Sequence, residues 1–444
     1  MLLQDSDKAS SSSPYCTNVS SELLSWQWNL SKKRNSLASP KSRWLFDWYV
    51  SRTAVQFGII TPGRNPFIRC VLPLAFSDEL IMNCILALAG AELGEEIGAA
   101  TVSTTWKHYT LVLRDLQASM SQGMQDHKNK RFHLLLVTLF LGLIEVCYDS
   151  IPPSCPICSI ANTLQNISGN SQTFPHHLRA SRQLVLDIIS SPSEHASEEN
   201  RDLWGFLLEM YSYRALVASI TPLGASDPQQ QIPVDPFLDS LWKLSQYKTF
   251  GFQFACGHSI FQFIPEVSRI TNQRMIEEKW GTLSPETHAR YKSLVLRIRL
   301  WNPTVLPDEI VLNNQRLAAA TIYQKSLLIY LHSYFLDPIL NDSGTFSEME
   351  LCTNTALPLL ISLSRSQVAS IMMWPTLMVC SCLRQEDQHK LVRQGISEVD
   401  FNSKAIEQCA KLLDALWEDS DPQSYGPRGL DYIMKKKGWS ICMS

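Results

Sequence analysis

One stretch limits the folds open to this chain more than any other. From Leu80 to Leu93 it reads Leu-Ile-Met-Asn-Cys-Ile-Leu-Ala-Leu-Ala-Gly-Ala-Glu-Leu, with hardly a polar position. A surface helix keeps one polar face, so a helix that is apolar on nearly every side must be enclosed by neighbours. Pro66 and Pro73 punctuate the connector before it, Ser77 or Asp78 can cap its start, and Glu79 places negative charge where a helix N-terminus favours it. The stretch holds no nucleophile, metal-ligand set or phosphate loop. It is therefore architecture, the core helix of something large.

Residues 132–148 form a second run of this kind. Both runs fall short of the ~20 apolar residues that cross a bilayer. The first residues carry acids where a signal peptide needs bases, and no apolar segment follows them. A soluble, non-secreted protein is expected. The 12 cysteines lie mostly singly inside apolar runs, as reduced buried thiols do, so no disulfide framework is expected. A net charge of −3 gives no global basic field for non-specific nucleic-acid binding.

Three-and-four apolar spacing predicts helices over residues 43–57, 106–123, 132–148, 177–189, 203–220, 249–270, 285–300, 313–335, 351–364, 370–384 and 403–417. The 249–270 helix must tolerate Pro265 near its last turns, and residues 221–236 read as a loop. No segment alternates with period two for long enough to suggest a sheet. Residues 1–42 are Ser-rich and broken by Pro14 and Pro40, a composition that predicts disorder. Lys32, Lys33 and Arg34 within them suit a nuclear localisation signal, although so short a cluster is more simply a solvated charged tail.

The order of several short motifs carries a resemblance. Asn65-Pro66-Phe67 leads through Leu72-Pro73-Leu74-Ala75-Phe76 into the Ala/Leu-rich helix. Next come His108-Tyr109, then Leu139-Phe140-Leu141-Gly142-Leu143-Ile144-Glu145, then Phe174-Pro175-His176-His177-Leu178. Phe252 to Phe261, with Cys256 and Gly257, Trp374-Pro375, and a closing stretch from Trp417 through Tyr432 to Gly438-Trp439 complete the set. In this order they resemble the fungal-specific transcription factor regulatory domain, over roughly residues 44–442. Phe174, Ala180, Ser181 and Cys380 stand where that family usually has Trp, Gly, Ala and Gly, and read as packing substitutions at helix contacts. The family's DNA-reading module shares two zinc ions among six close cysteines, whereas the first 69 residues here hold Cys16 alone.

The remaining chemistry is thin. Cys155-Pro156-Ile157-Cys158 has the spacing of half a zinc site or a redox dithiol, but the nearest further ligands are the adjacent His176 and His177, and no βαβ context surrounds it. His108, His177, His258 and His332 sit singly on expected helices and read as packing residues. The tryptophans read as core and helix-contact residues, and Lys435, Lys436 and Lys437 as charge suited to a helix C-terminus. No nucleotide-binding, metalloprotease or hydrolase motif is present, so no cofactor, metal or enzyme activity is expected.

The expected architecture is all-α, a large multi-helix bundle forming one regulatory domain over residues 43–444 behind the tail at 1–42. The resemblance implies a nuclear transcriptional regulator of a fungal metabolic or secondary-metabolite gene cluster. It would work with a protein partner and touch DNA weakly or through that partner. A cleft between helices would receive a small-molecule effector or a protein surface, and a homodimer is compatible with this. The alternative is a non-DNA-binding pathway accessory or small-molecule-binding protein derived from the same family.

Overall fold

The apolar stretch is a helix, α3 (Glu79–Leu93), and every residue from Ile81 to Leu93 in it is buried. In the computed structural model the described residues are 35–57, 64–93, 99–121, 130–147, 173–191, 198–221, 233–254, 257–303, 310–336, 343–397 and 404–439. Among them every regular element is helical and there is no strand. Asp78, in extended conformation at the end of α2 (Leu72–Ser77), caps α3, its Oδ1 accepting from the Leu80 N–H at 2.9 Å.

Three further elements enclose α3: α1 (Pro40–Trp48) with the π-helical turn that continues it, α4 (Ala99–Ser121) and α5 (Lys130–Cys147). Gly90 admits α4, because a Cβ there would lie 2.0 Å from Thr105 Oγ1. The polar members of α3 are paired across these contacts. Glu92 accepts from Trp48 Nε1 (3.0 Å) and Thr53 Oγ1 (2.5 Å), and Asn83 reaches α4 through His108. Each Leu, Ile or Met so enclosed contributes about 1.5–3 kcal/mol of burial.

α6 (Thr173–Ile189) packs on α5, and α7 (Glu198–Ser219) covers both. The second half is built on α10 (Ile310–Phe335), which is surrounded by α8 (Ile264–Lys279), α9 (Pro285–Leu300), α11 (Ser343–Leu363), α12 (Met373–Cys380) and α15 (Gly426–Lys437). α13 (Glu386–Ser397) and α14 (Lys404–Glu418) complete it. The halves share one hydrophobic core running from Leu37 to Met434. Polar bonds cross the seam as well. Tyr213 of α7 meets the Tyr323 hydroxyl of α10 at 2.9 Å, and Trp374 Nε1 donates to the Ile220 carbonyl at 3.2 Å.

Three expectations change. Residues 36–42, read as part of the disordered tail, belong to the helical body: Leu37 is buried, Ser36 donates through N and Oγ to Glu79 (3.2 and 2.6 Å), and Ser39 caps α1. Residues 249–270 are not one helix. Gly251 and Gly257 adopt positive φ (99° and 113°), and α8 begins at Ile264 with Pro265 in its first turn, where a missing N–H does no harm. Residues 370–384 divide into a 3-10 turn (Gln367–Ile371) and α12. Pattern reading also passed over a 3-10 helix at Pro236–Gln246, and α13.

Candidate functional site

The histidines singled out from sequence are structural where their side chains are described. His108 is buried between three elements. Asn83 Nδ2 donates to the Glu79 carbonyl, so its Oδ1 is free to accept from His108 Nδ1–H at 2.8 Å. Nε2 then accepts from the Ser42 hydroxyl at 2.9 Å. This chain of donors holds a neutral ring, and burial pushes its pKa down to about 4. His177 and Tyr109 meet on one carboxylate: Glu145 Oε1 bonds His177 Nε2 at 2.9 Å and accepts from the Tyr109 hydroxyl at 2.8 Å. Three separate sequence motifs thus converge on one tie between α4, α5 and α6. His332 bonds the Tyr291 hydroxyl at 2.7 Å, and its Nε2 lies 3.3 Å from Glu348. The side chain of His258 lies outside the described residues, as do Lys32, Lys33, Arg34, Cys155 and Cys158.

No group of His, Cys, Asp and Glu among the described residues could hold a metal ion. Lys435 and Lys436 pair with Asp431 and Asp419, as charges at the end of a helix do. Trp204 and Trp374 are core residues, whereas Trp242 is 57% exposed and is not. Ser181 and Cys380 are buried at helix contacts, but Ala180 faces outward and substitutes for nothing packed. The side chain of Phe174 lies outside the described residues.

Sequence reasoning missed a buried carboxylate. Glu209 of α7 is fully enclosed, and its oxygens accept from the backbone N–H groups of Gly251, Gln253 and Phe254 at 2.8–3.2 Å. Those donors are the ones a helix would have used, which is why residues 249–254 leave helical form. Burial nevertheless lifts the carboxyl to about 7 against these bonds. With its carboxylate spent on backbone, Glu209 anchors a loop and has nothing left over for a ligand.

Concavity is found elsewhere, where α11, the turn after it, α12, α13 and α14 meet. A half-enclosed cavity of about 110 Å³ lies there, walled by Leu360, Met372, Cys380, Val392, Ile396 and Cys409 among others. Among the described residues no charged side chain lines it. Its hydroxyls are turned to their own backbone, Thr376 to the Met372 carbonyl at 2.7 Å, Ser364 to that of Ile361 at 3.0 Å and Ser370 more loosely to that of Gln367 at 3.5 Å. Gly395 lies on its wall, and a Cβ added there would meet nothing within 4 Å.

α13 closes the cavity and rests on α14 through one tryptophan. His389 stacks on Trp417 (centroids 4.1 Å apart, planes at 9°), and Arg393 lies over the same ring while its Nε donates to Asp414 at 2.8 Å. Trp417 Nε1 donates in turn to the carbonyl of Cys380, a cavity residue, at 3.0 Å. Burial raises the Cys380 thiol far above the usual thiol range, so it contributes a soft apolar surface and not a nucleophile.

The sequence profile of the fungal specific transcription factor domain matches residues 44–444, which takes in nearly the whole helical body. No curated protein and no solved structure matches the chain. An all-α body organised around the enclosed α3, with the ordered motifs serving as its internal ties, agrees with that match. The chain belongs to the fungal specific transcription factor domain family.

Proposed function

We propose that this chain is the regulatory body of a nuclear transcription regulator, and that it controls a metabolic or secondary-metabolite gene cluster. The observation that carries the reading is the family match across residues 44–444. The family's role is regulatory and generally not enzymatic. The chain carries a net charge of −3 and so no global basic field, and the body reaches promoters through a protein partner that carries a DNA-reading module. Lys32, Lys33 and Arg34 serve as the import signal. Among the described residues no helix is long and apolar enough to cross a membrane.

The apolar cavity favours a second reading, a small-molecule-binding accessory protein of the same pathway with no role at promoters. The two separate in a deletion strain that expresses a fluorescently tagged copy. Nuclear fluorescence, with a coherent set of neighbouring genes changed in transcript level, supports the regulator. A cytoplasmic protein with an unchanged transcriptome supports the accessory.

A further inference from the structure

We propose that the cavity between α11, α12, α13 and α14 is a binding site for a small uncharged apolar ligand, a single aromatic ring or a short branched hydrocarbon group. It rests on the regulatory reading only for its biological consequence; the binding claim stands by itself. The size of the site limits the ligand. A space of about 110 Å³ is somewhat smaller than the apolar cavities of ~150 Å³ that stay dry and take up benzene or xenon. The lining limits its chemistry. Among the described residues the wall holds no charged side chain, so against them an anionic or cationic metabolite would lose its hydration with no compensating partner. The hydroxyls of Ser364 and Thr376 are committed to backbone carbonyls, and that of Ser370 lies 3.5 Å from the Gln367 carbonyl, so the described hydroxyls of the wall are turned to their own backbone and form no directed site for a sugar or an amino acid. What remains is contact with Leu360, Met372, Val392, Ile396 and the sulfur of Cys380 and Cys409, a soft surface that suits an aromatic ring.

The position of the site gives occupancy a route to the rest of the molecule. Cys380 touches the cavity, and its carbonyl holds Trp417, the ring that carries α13. At the other end of α12, Trp374 is bonded to the Ile220 carbonyl just beyond α7. A ligand against α12 therefore contacts a helix that is hydrogen-bonded both to α14 and to the first half of the chain.

The test uses the full recombinant chain with toluene as probe and benzoate as its charged counterpart. Thermal unfolding is followed together with saturation-transfer NMR of the probe. Toluene should raise Tm saturably, with Kd in the range of about 0.1–1 mM for so small a ligand, while benzoate should leave it unchanged. Gly395→Leu and, from another wall, Ala369→Leu should each fill the space, abolish the toluene signal and leave the far-UV spectrum as in the native protein. Absence of a toluene response in the native chain would overturn the proposal, as would a response that persists in both filled variants. In cells, a Gly395→Leu strain whose transcripts match those of the deletion strain supports the regulatory consequence. If the variant loses toluene binding yet transcripts match the native strain, the ligand site stands and that consequence falls.

Discussion

Gly90→Ala should destabilise the protein, although alanine favours a helix over glycine by about 1 kcal/mol. The new methyl carbon would sit 2.0 Å from Thr105 Oγ1 and 2.8 Å from both Thr105 Cβ and Cγ2. These are atoms of a buried residue near the start of α4, and the hydroxyl already donates to the Thr101 carbonyl at 3.0 Å. Rotating Thr105 moves the oxygen and Cγ2 but leaves Cβ, so α3 and α4 must separate by roughly 1 Å. That separation opens gaps along a helix buried on all sides, and overpacking of this kind costs about 1–3 kcal/mol or more, outweighing the propensity gain. Gly395→Ala is the control, because the new Cβ meets nothing within 4 Å and the variant should gain roughly 0.5–1 kcal/mol. Guanidinium unfolding of the full chain reads both. Gly90→Ala should lower the midpoint, Gly395→Ala should hold or raise it, and Thr105→Gly should restore part of what Gly90→Ala loses. A Gly90→Ala protein as stable as the native one would refute the close α3–α4 packing.

Two buried titratable groups act in opposite directions. His108 is held at about 4, below its ordinary 6.5, so between these values the unfolded chain binds the proton more readily. Its contribution of roughly 3 kcal/mol is full above pH 6.5 and lost as pH falls toward 4, and His108→Gln should remove that slope from a pH series of unfolding midpoints. Glu209, raised to about 7 from 4.5, favours the folded state at low pH and loses roughly 3 kcal/mol as pH rises through this window; Glu209→Gln should flatten that trend. The two slopes nearly cancel between pH 4.5 and 6.5, so only the single variants separate them. Arg182 holds Asp235, which is 3% exposed, by a bidentate pair at 2.5–3.0 Å, and Arg182→Ala should cost about 3 kcal/mol by stranding the carboxylate, measurable as a lowered midpoint.

The parts of the fold readable in the sequence are those set by a segment's own composition. α3 and α5 are apolar around the whole circumference, and such helices must be buried whatever their partners are. His108, His177 and His332 are legible as packing residues for a similar reason, since none has a nucleophile or ligand set nearby in sequence. Residues 249–254 were misread because the acceptor of their N–H groups, Glu209, lies more than 40 residues upstream and carries no local mark. α13 was missed because Glu-Asp-Gln-His-Lys-Leu-Val-Arg-Gln-Gly-Ile-Ser offers few apolar positions, and the helix depends on Trp417 of α14 for its seat. The cavity could not be read either. Its wall comes from residues spread between 357 and 413, and it exists partly because Gly395 has no side chain.

The most direct test of the regulator reading is chromatin immunoprecipitation of the tagged native protein, with RNA profiling of the deletion strain under the same growth conditions. The regulator reading predicts enrichment at a small set of promoters whose transcripts change on deletion. No enrichment at any promoter, with an unchanged transcriptome, would contradict it.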